Sequence, residues 1–165
     1  HVIYELENHF LKSIKKTIDK KKLMIVKNFF RKRADILNII IKIRSLLLKS
    51  DVDCYLDYGF IELKKIKNQK AIDGLISSLT LNEYHNIFLK TMNEFNKTGD
   101  WVIFDRVMDE FLMEFLKKAK YSDQFGFGFV FWFILEKDRE IRKLKAMFKI
   151  INDNLSKDYF EVFAW

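Results

Sequence analysis

The 165-residue chain contains no proline and only five glycines. An all-β fold needs frequent turns and an α/β fold needs regular short loops, and both rely on these two residues for the backbone angles that turns require. With that punctuation missing, the expectation is a soluble, all-α chain of long uninterrupted helices. Its length is enough to bury a core without staples, and 17 phenylalanines supply bulky material for it. A single cysteine, Cys54, cannot close an internal disulfide and fits a reducing, cytosolic setting.

Apolar spacing marks the helices. Leu6, Phe10, Ile14 and Ile18 recur every three or four residues on one helical face, and Lys20, Lys21 and Lys22 mark its end. A second helix over about 23–49 carries Val26, Phe29, Phe30, Leu37, Ile40, Ile41, Leu47 and Leu48. Ser50 to Phe60, with three aspartates and Gly59, reads as a loop, and short helices follow at 62–67 and 71–78. Thr80 and Glu83 have capping-box spacing for a helix reaching Phe95. Asp100 is placed to cap the next helix, lined by Trp101, Phe104, Met108, Phe111, Phe115 and Leu116. After a break over 121–128, a helix over about 129–151 precedes a short amphipathic end at Tyr159, Phe160 and Phe163. Leu6, Phe10, Leu11 and Ile14 align with Val107, Phe111, Leu112 and Phe115, and each set leads into a long helix with an acidic residue and nearby basic ones, which suggests a duplicated helical module.

Charge is concentrated rather than spread. Ten of the 30 Lys and Arg residues lie between Lys12 and Arg33, against the single acid Asp19. Lys15, Lys16, Lys20, Lys21, Lys22, Arg31, Lys32 and Arg33 are therefore read as a basic patch, available to a protein partner or, as the alternative function, to the phosphates of a nucleic acid. The stretch from Gln124 to Leu135 is uncharged but falls short of the roughly 20 residues a membrane-crossing helix needs. No signal peptide is evident, because the basic stretch follows the first helix instead of preceding a compact apolar one.

Several site patterns fail on their own chemistry. His9 and His85 stand alone on separate helices with no second histidine at i+4 to share a metal. Asp51, Asp53, Tyr55, Asp57 and Glu62 imitate a calcium loop, but Leu56 occupies the position where that loop needs glycine. Phe125-Gly126-Phe127-Gly128 lacks the third glycine and preceding strand of a phosphate-binding turn, and reads as a hinge. No catalytic, cofactor-binding or metal residue is assigned, and a protein-binding role is expected.

The segment from Ala34 to Arg44, with Asp35, Asn38 and Arg44 in register, resembles a motif of the C subunit of prokaryotic V-type ATPases, known as the d subunit in eukaryotes. The aromatic run at 131–133 leading into Lys137, Asp138, Glu140, Ile141 and Leu144 is similar to the family's last-module motif, departing from it at Lys143 and Lys145. Phe104 to Phe111, Lys117 to Lys120 and the loop Tyr58-Gly59-Phe60 also look like family segments, the loop without the family's proline. The resemblance covers most of the chain. It implies tandem helical modules like the last two of three forming a funnel, here divided as 1–70 (an incomplete middle module) and 71–165 (the C-terminal module). Full-length members are about twice as long, and a chain beginning at His1 without methionine fits a fragment or processed product, a C-terminal half.

By the same resemblance, the protein is a non-catalytic central-stalk subunit. It would couple the rotor shaft to the proteolipid ring for ATP-driven ion transport or ATP synthesis, bind no small-molecule substrate or cofactor, and stay cytoplasmic, reaching the membrane through its partners only. Asp35, Asn38, Arg44, Glu140 and Lys143 would lie near the module interiors, and together with Lys137 and Lys145 form the candidate interface or module-interior set. The alternative for these residues is a hydrogen-bond network that holds a module together.

Overall fold

The computed structural model describes residues 2–20, 23–52, 54–79, 83–122 and 126–155, with the backbone alone for 2–5, 7, 14, 16, 19, 20 and 122. Among the described residues seven helices follow in order: α1 (Val2–Lys20), α2 (Met24–Leu48), α3 (Leu63–Lys67), α4 (Ile72–Ser78), α5 (Tyr84–Thr98), α6 (Val102–Ser122) and α7 (Phe127–Asn152). Among the described residues there is no strand, so the chain is all-α. The β-branched run Ile39 to Ile41 lies within α2, fully packed, which shows tertiary burial overriding the local preference for strand. The expected amphipathic end at Tyr159, Phe160 and Phe163 and the capping position Thr80 lie outside the described residues.

Helices here end without the usual glycine. Lys49 closes α2 in the left-handed region, at φ 50°, with its N–H and that of Ser50 both donating to Ser45 O. Asn154 does the same for α7 at φ 49°, where Leu155 N–H reaches back to Ile150 O. Both are backbone closures that satisfy terminal carbonyls, and the asparagine tolerates the conformation better than the lysine. Only α5 is followed by a left-handed glycine, Gly99 at φ 68°. Asp100 then caps α6, its Oδ1 accepting from Val102 N–H at 2.9 Å. The expected break before α7 is shorter than the sequence suggests. Gly126 is its extended N-cap, so Gly128 lies inside the helix, and buried.

The structure divides into two compact units, residues 1–96 and 97–165. This differs from the expected module boundary at 70/71 because residues 71–96 pack with what precedes them. The Tyr84 hydroxyl reaches Asp35, and Glu83 pairs with Lys32.

In the first unit, Leu11 of α1, Ala34 of α2, and Leu56 and Tyr58 of the following loop form a buried cluster, with Phe30 and Leu37 packed against it. Phe10 meets Phe30 edge-on at 5.9 Å between ring centroids. Of the expected apolar face of α1, Ile18 is buried while Leu6 and Phe10 are exposed, and Leu11 beside that face is buried too. Among its described residues the second unit pairs two long helices, in which α6 buries Ile103, Phe104, Leu112 and Leu116. Leu11 and Leu112, matched in the internal repeat, are thus both buried.

Candidate functional site

The first unit is organised around two polar side chains of α2 that have no contact with water. Asp35 and Asn38, three residues apart and so on one helical face, are completely buried. Asn38 treats Leu56 as a strand would, its Nδ2 donating to Leu56 O at 2.9 Å and its Oδ1 accepting from Leu56 N–H at 2.8 Å. Asp35 accepts from the N–H groups of Phe60 at 3.0 Å and Ile61 at 2.9 Å, and from the Tyr84 hydroxyl at 3.1 Å. One helix face therefore staples the irregular loop at two points and ties it to the start of α5. Buried backbone groups in a loop need such partners, because leaving them bare in the core is costly.

Burial raises the Asp35 pKa, while the N–H groups of Ile61 and Phe60, the Tyr84 hydroxyl and the Arg31 charge pull it back down. Burial, together with the neighbouring Asp35 charge, pushes the Tyr84 hydroxyl well above its ordinary value, so it stays a donor. Gly59 is needed for close approach. A methyl group there would fall well inside contact distance of Asp35 Oδ1 and 3.0 Å from its Cγ.

The stapled loop forms one wall of a cleft of about 580 Å³ lined by Lys15, Lys27, Arg31, Asp57, Phe60 and Lys64, among others. Arg31 holds the wall, its Nε and Nη2 donating to Gly59 O at 3.3 and 3.1 Å while the guanidinium stacks 3.9 Å above the Phe60 ring. Lys15 lies 5.8 Å from the Tyr58 ring centre. Four cations against Asp57 and Glu62 make this a basic cleft suited to an acidic surface.

The other sequence candidates are dispersed. Of the basic patch, Lys15 and Arg31 line the cleft, Lys32 pairs with Glu83, and Arg33 is half-buried. Lys21 and Lys22, and the side chains of Lys16 and Lys20, lie outside the described residues. Arg44 is half-buried at the far end of α2. On α7, Lys143 is half-buried and Lys145 exposed, while Lys137 and Glu140 form a surface ion pair at 2.6 Å. Glu140, expected near a module interior, is thus on an exposed face.

In the second unit, Asp109 of α6 instead holds α7. Its Oδ2 lies 3.0 Å from Arg139 Nε and its Oδ1 lies 3.3 Å from Arg142 Nη2. Lys120 sits 3.7 Å from the Trp132 ring centre, between the same helices. The sequence offered no reason to single out Tyr84, Lys27, Lys64 or the Asp109 pairs. Each becomes visible only when elements distant in sequence are brought together. Among the described residues no three His, Cys, Asp or Glu side chains gather into a metal site, and no helix is long and apolar enough to cross a membrane.

A family model described as the ATP synthase (C/AC39) subunit matches residues 5–162. The C subunit of the A-type ATP synthase of Methanocaldococcus jannaschii is 26% identical over 163 residues, covering 93% of this chain and 41% of the relative. The proteins of the same name from Thermococcus kodakarensis and Methanothermobacter thermautotrophicus are 27% and 24% identical over 153 residues, each covering 40% of the relative and 88% and 86% of this chain. The chain spans about two fifths of the length of these curated relatives. No solved structure matches it at comparable significance. With nearly all of its length matched in this way, the chain belongs to the ATP synthase (C/AC39) subunit family.

Proposed function

We propose that the chain is part of a central-stalk subunit that joins the rotor shaft of an A/V-type ATPase to its proteolipid ring and carries torque without chemistry of its own. The family match over residues 5–162 carries this reading. The stapled loop supports it in physical terms. A coupling element has to resist shear, and Asp35 and Asn38 convert an irregular connection into a fixed part of the α2 wall through four hydrogen bonds, with a fifth from Tyr84 of α5. Being wholly buried, these two serve the unit's interior, whereas the basic cleft and the polar residues Lys137, Glu140, Lys143 and Lys145 of α7 are the candidates for partner contact. On this reading the protein is peripheral to the membrane and held there by its partners.

Affinity isolation of the tagged protein from its native cell, with identification of what accompanies it, tests the proposal. Shaft and proteolipid subunits are the expected companions, and their absence would count against it. Reversing Lys15, Lys27 and Lys64 to glutamate should weaken assembly most at low salt, where exposed charges are least screened. Unchanged assembly would assign the cleft to solvent. The nucleic-acid reading of the basic patch predicts steeply salt-dependent binding to a generic duplex, and no binding at low ionic strength removes it.

A further inference from the structure

The net charge of the chain is not shared between its two units. Residues 1–96 hold 18 Lys and Arg against 11 Asp and Glu, and residues 97–165 hold 12 of each, so the whole excess of +7 belongs to the first unit. Part of that excess lines the cleft between the α1–α2 hairpin and the loop before α3, where Lys15, Lys27, Arg31 and Lys64 stand against Asp57 and Glu62. Of the hairpin residues between Lys15 and Lys27, the side chains outside the described structure are Lys16, Asp19, Lys20, Lys21 and Lys22, which on balance add positive charge.

One of these cations is fixed in advance. Arg31 is half-buried, donates from Nε and Nη2 to Gly59 O, and stacks on the Phe60 ring. A guanidinium has five N–H donors, so the loop leaves three of them, on Nη1 and Nη2, for another acceptor. That edge of the planar fork matches the two oxygens of a carboxylate. Because stacking and hydrogen bonds already hold it, little side-chain freedom is lost when a ligand arrives, and such an arginine is a typical anchor.

The lining also chooses among anions. Phosphate-rich ligands concentrate negative charge that Asp57 and Glu62 would repel, and the basic run does not extend the cleft through its next two members, since Lys32 is turned to Glu83 and Arg33 is half-buried. A peptide instead carries single carboxylates spaced along its chain, and it can set these against the cations while passing the two acids with uncharged residues. A cleft of about 580 Å³ falls within the roughly 300–1,000 Å³ of sites that enclose a small ligand, which suits a few residues of extended chain. We propose that the cleft binds a short acidic segment of a partner protein, with one carboxylate on the Nη edge of Arg31 and others on Lys15, Lys27 and Lys64. This rests on the reading of the cleft as a partner contact and gives that contact its chemistry.

Two short labelled peptides, alike except that one carries Glu and Asp where the other carries Gln and Asn, test the proposal by fluorescence anisotropy with the whole chain. At low salt the acidic peptide should bind about tenfold or more tightly than the amide peptide, and its affinity should fall as salt is added. Lys64→Gln should weaken it about threefold, whereas Lys65→Gln, which removes the same charge from the next exposed residue outside the lining, should leave it unchanged. Arg31→Lys keeps the charge but not the fork, and should weaken it about tenfold. Should that variant unfold, the comparison of Lys64 with Lys65 still decides, because both side chains are exposed and both variants should melt as the parent does. Equal affinity for the two peptides, binding of neither, or equal losses at Lys64 and Lys65 would overturn the proposal. Tighter binding of a short DNA duplex than of the acidic peptide, lost on Lys64→Gln alone, would assign the cleft to phosphates instead. Dimers in sedimentation that Lys64→Gln abolishes and Lys65→Gln spares would assign it to a second copy. The rotor reading fails separately. Shaft and ring subunits accompanying the tagged protein while neither peptide binds would sink the peptide site alone, and a bound acidic peptide without those companions would sink the rotor reading alone.

Discussion

Asp35 and Asp109 each hold a neighbouring element to a long helix, yet they do so under different dielectric conditions. Asp35 is cut off from water and accepts from two backbone N–H groups and a tyrosine. Asp109 lies partly in solvent, its side chain 16% exposed, and is held by two arginines. The buried site uses short directional donors that leave little freedom. The surface site uses long flexible side chains whose pairing competes with water and salt. Hydrogen bonds out of solvent are costly to break because the remaining partner is left bare, whereas exposed ion pairs contribute little. The first unit should therefore be brittle to single substitutions and the second forgiving.

The largest effect is expected at Gly59. Adding a methyl group displaces the Asp35 carboxyl from the loop it holds, so Gly59→Ala should lower the unfolding free energy by about 3 kcal/mol in a denaturant titration. Asn38→Ala comes next, at about 2 kcal/mol, because both polar backbone groups of buried Leu56 lose their partner at once. A loss below about 0.5 kcal/mol at either position would mean that the loop is not held as described.

These same residues show what the sequence made legible and what it hid. The missing prolines and the three-to-four spacing revealed the long helices, and α2 ends within a residue of its expected bounds at either end. A hydrogen-bond network was one reading of Asp35 and Asn38, but the partners of the staple could not be read. Their partners are main-chain groups 18 to 26 residues later, which carry no side-chain signature. The motif likeness put Asp35 and Asn38 near a module interior without giving a physical reason, and both side chains are buried. It also grouped Glu140 with them as interior, and α7 presents that residue to solvent instead, because its packed side is the one bearing Arg139 and Ala146. A helical period shows that a helix has two faces. It does not say which is covered when both carry apolar residues.

A third, smaller effect at Asp35 depends on pH. Because burial raises the Asp35 pKa above its ordinary 3.8, the folded chain holds that proton longer than the unfolded chain. The Asp35 contribution to stability is then fullest below 3.8, declines as pH rises through the raised folded value, and is flat beyond it. Removing the Tyr84 hydroxyl takes away a donor that lowers this pKa, so Tyr84→Phe should extend the declining window upward and cost about 1 kcal/mol at neutral pH, less in acid. Thermal melts of the parent, Tyr84→Phe and Asp35→Asn from about pH 3 to about pH 8 check this. A parent profile that parallels the Asp35→Asn profile throughout would refute it.

The smallest effect is expected at Asp109, and salt rather than pH should expose it. Asp109→Asn weakens both arginine pairings of the α6–α7 hairpin. Asp109 Oδ2 and Arg139 Nε are buried, but the three side chains as wholes stay 16–36% exposed, so the loss should be no more than about 1 kcal/mol at low ionic strength. Most of that should vanish near about 1 M salt, where the screening length falls to about 3 Å. Asn38→Ala provides the control, since its loss comes from uncharged groups out of solvent and should persist at the same salt. If the two variants responded to salt alike, the contrast between a dry hydrogen-bonded staple and a wet ionic one would fail. Both units would then owe their rigidity to apolar packing rather than to these polar contacts.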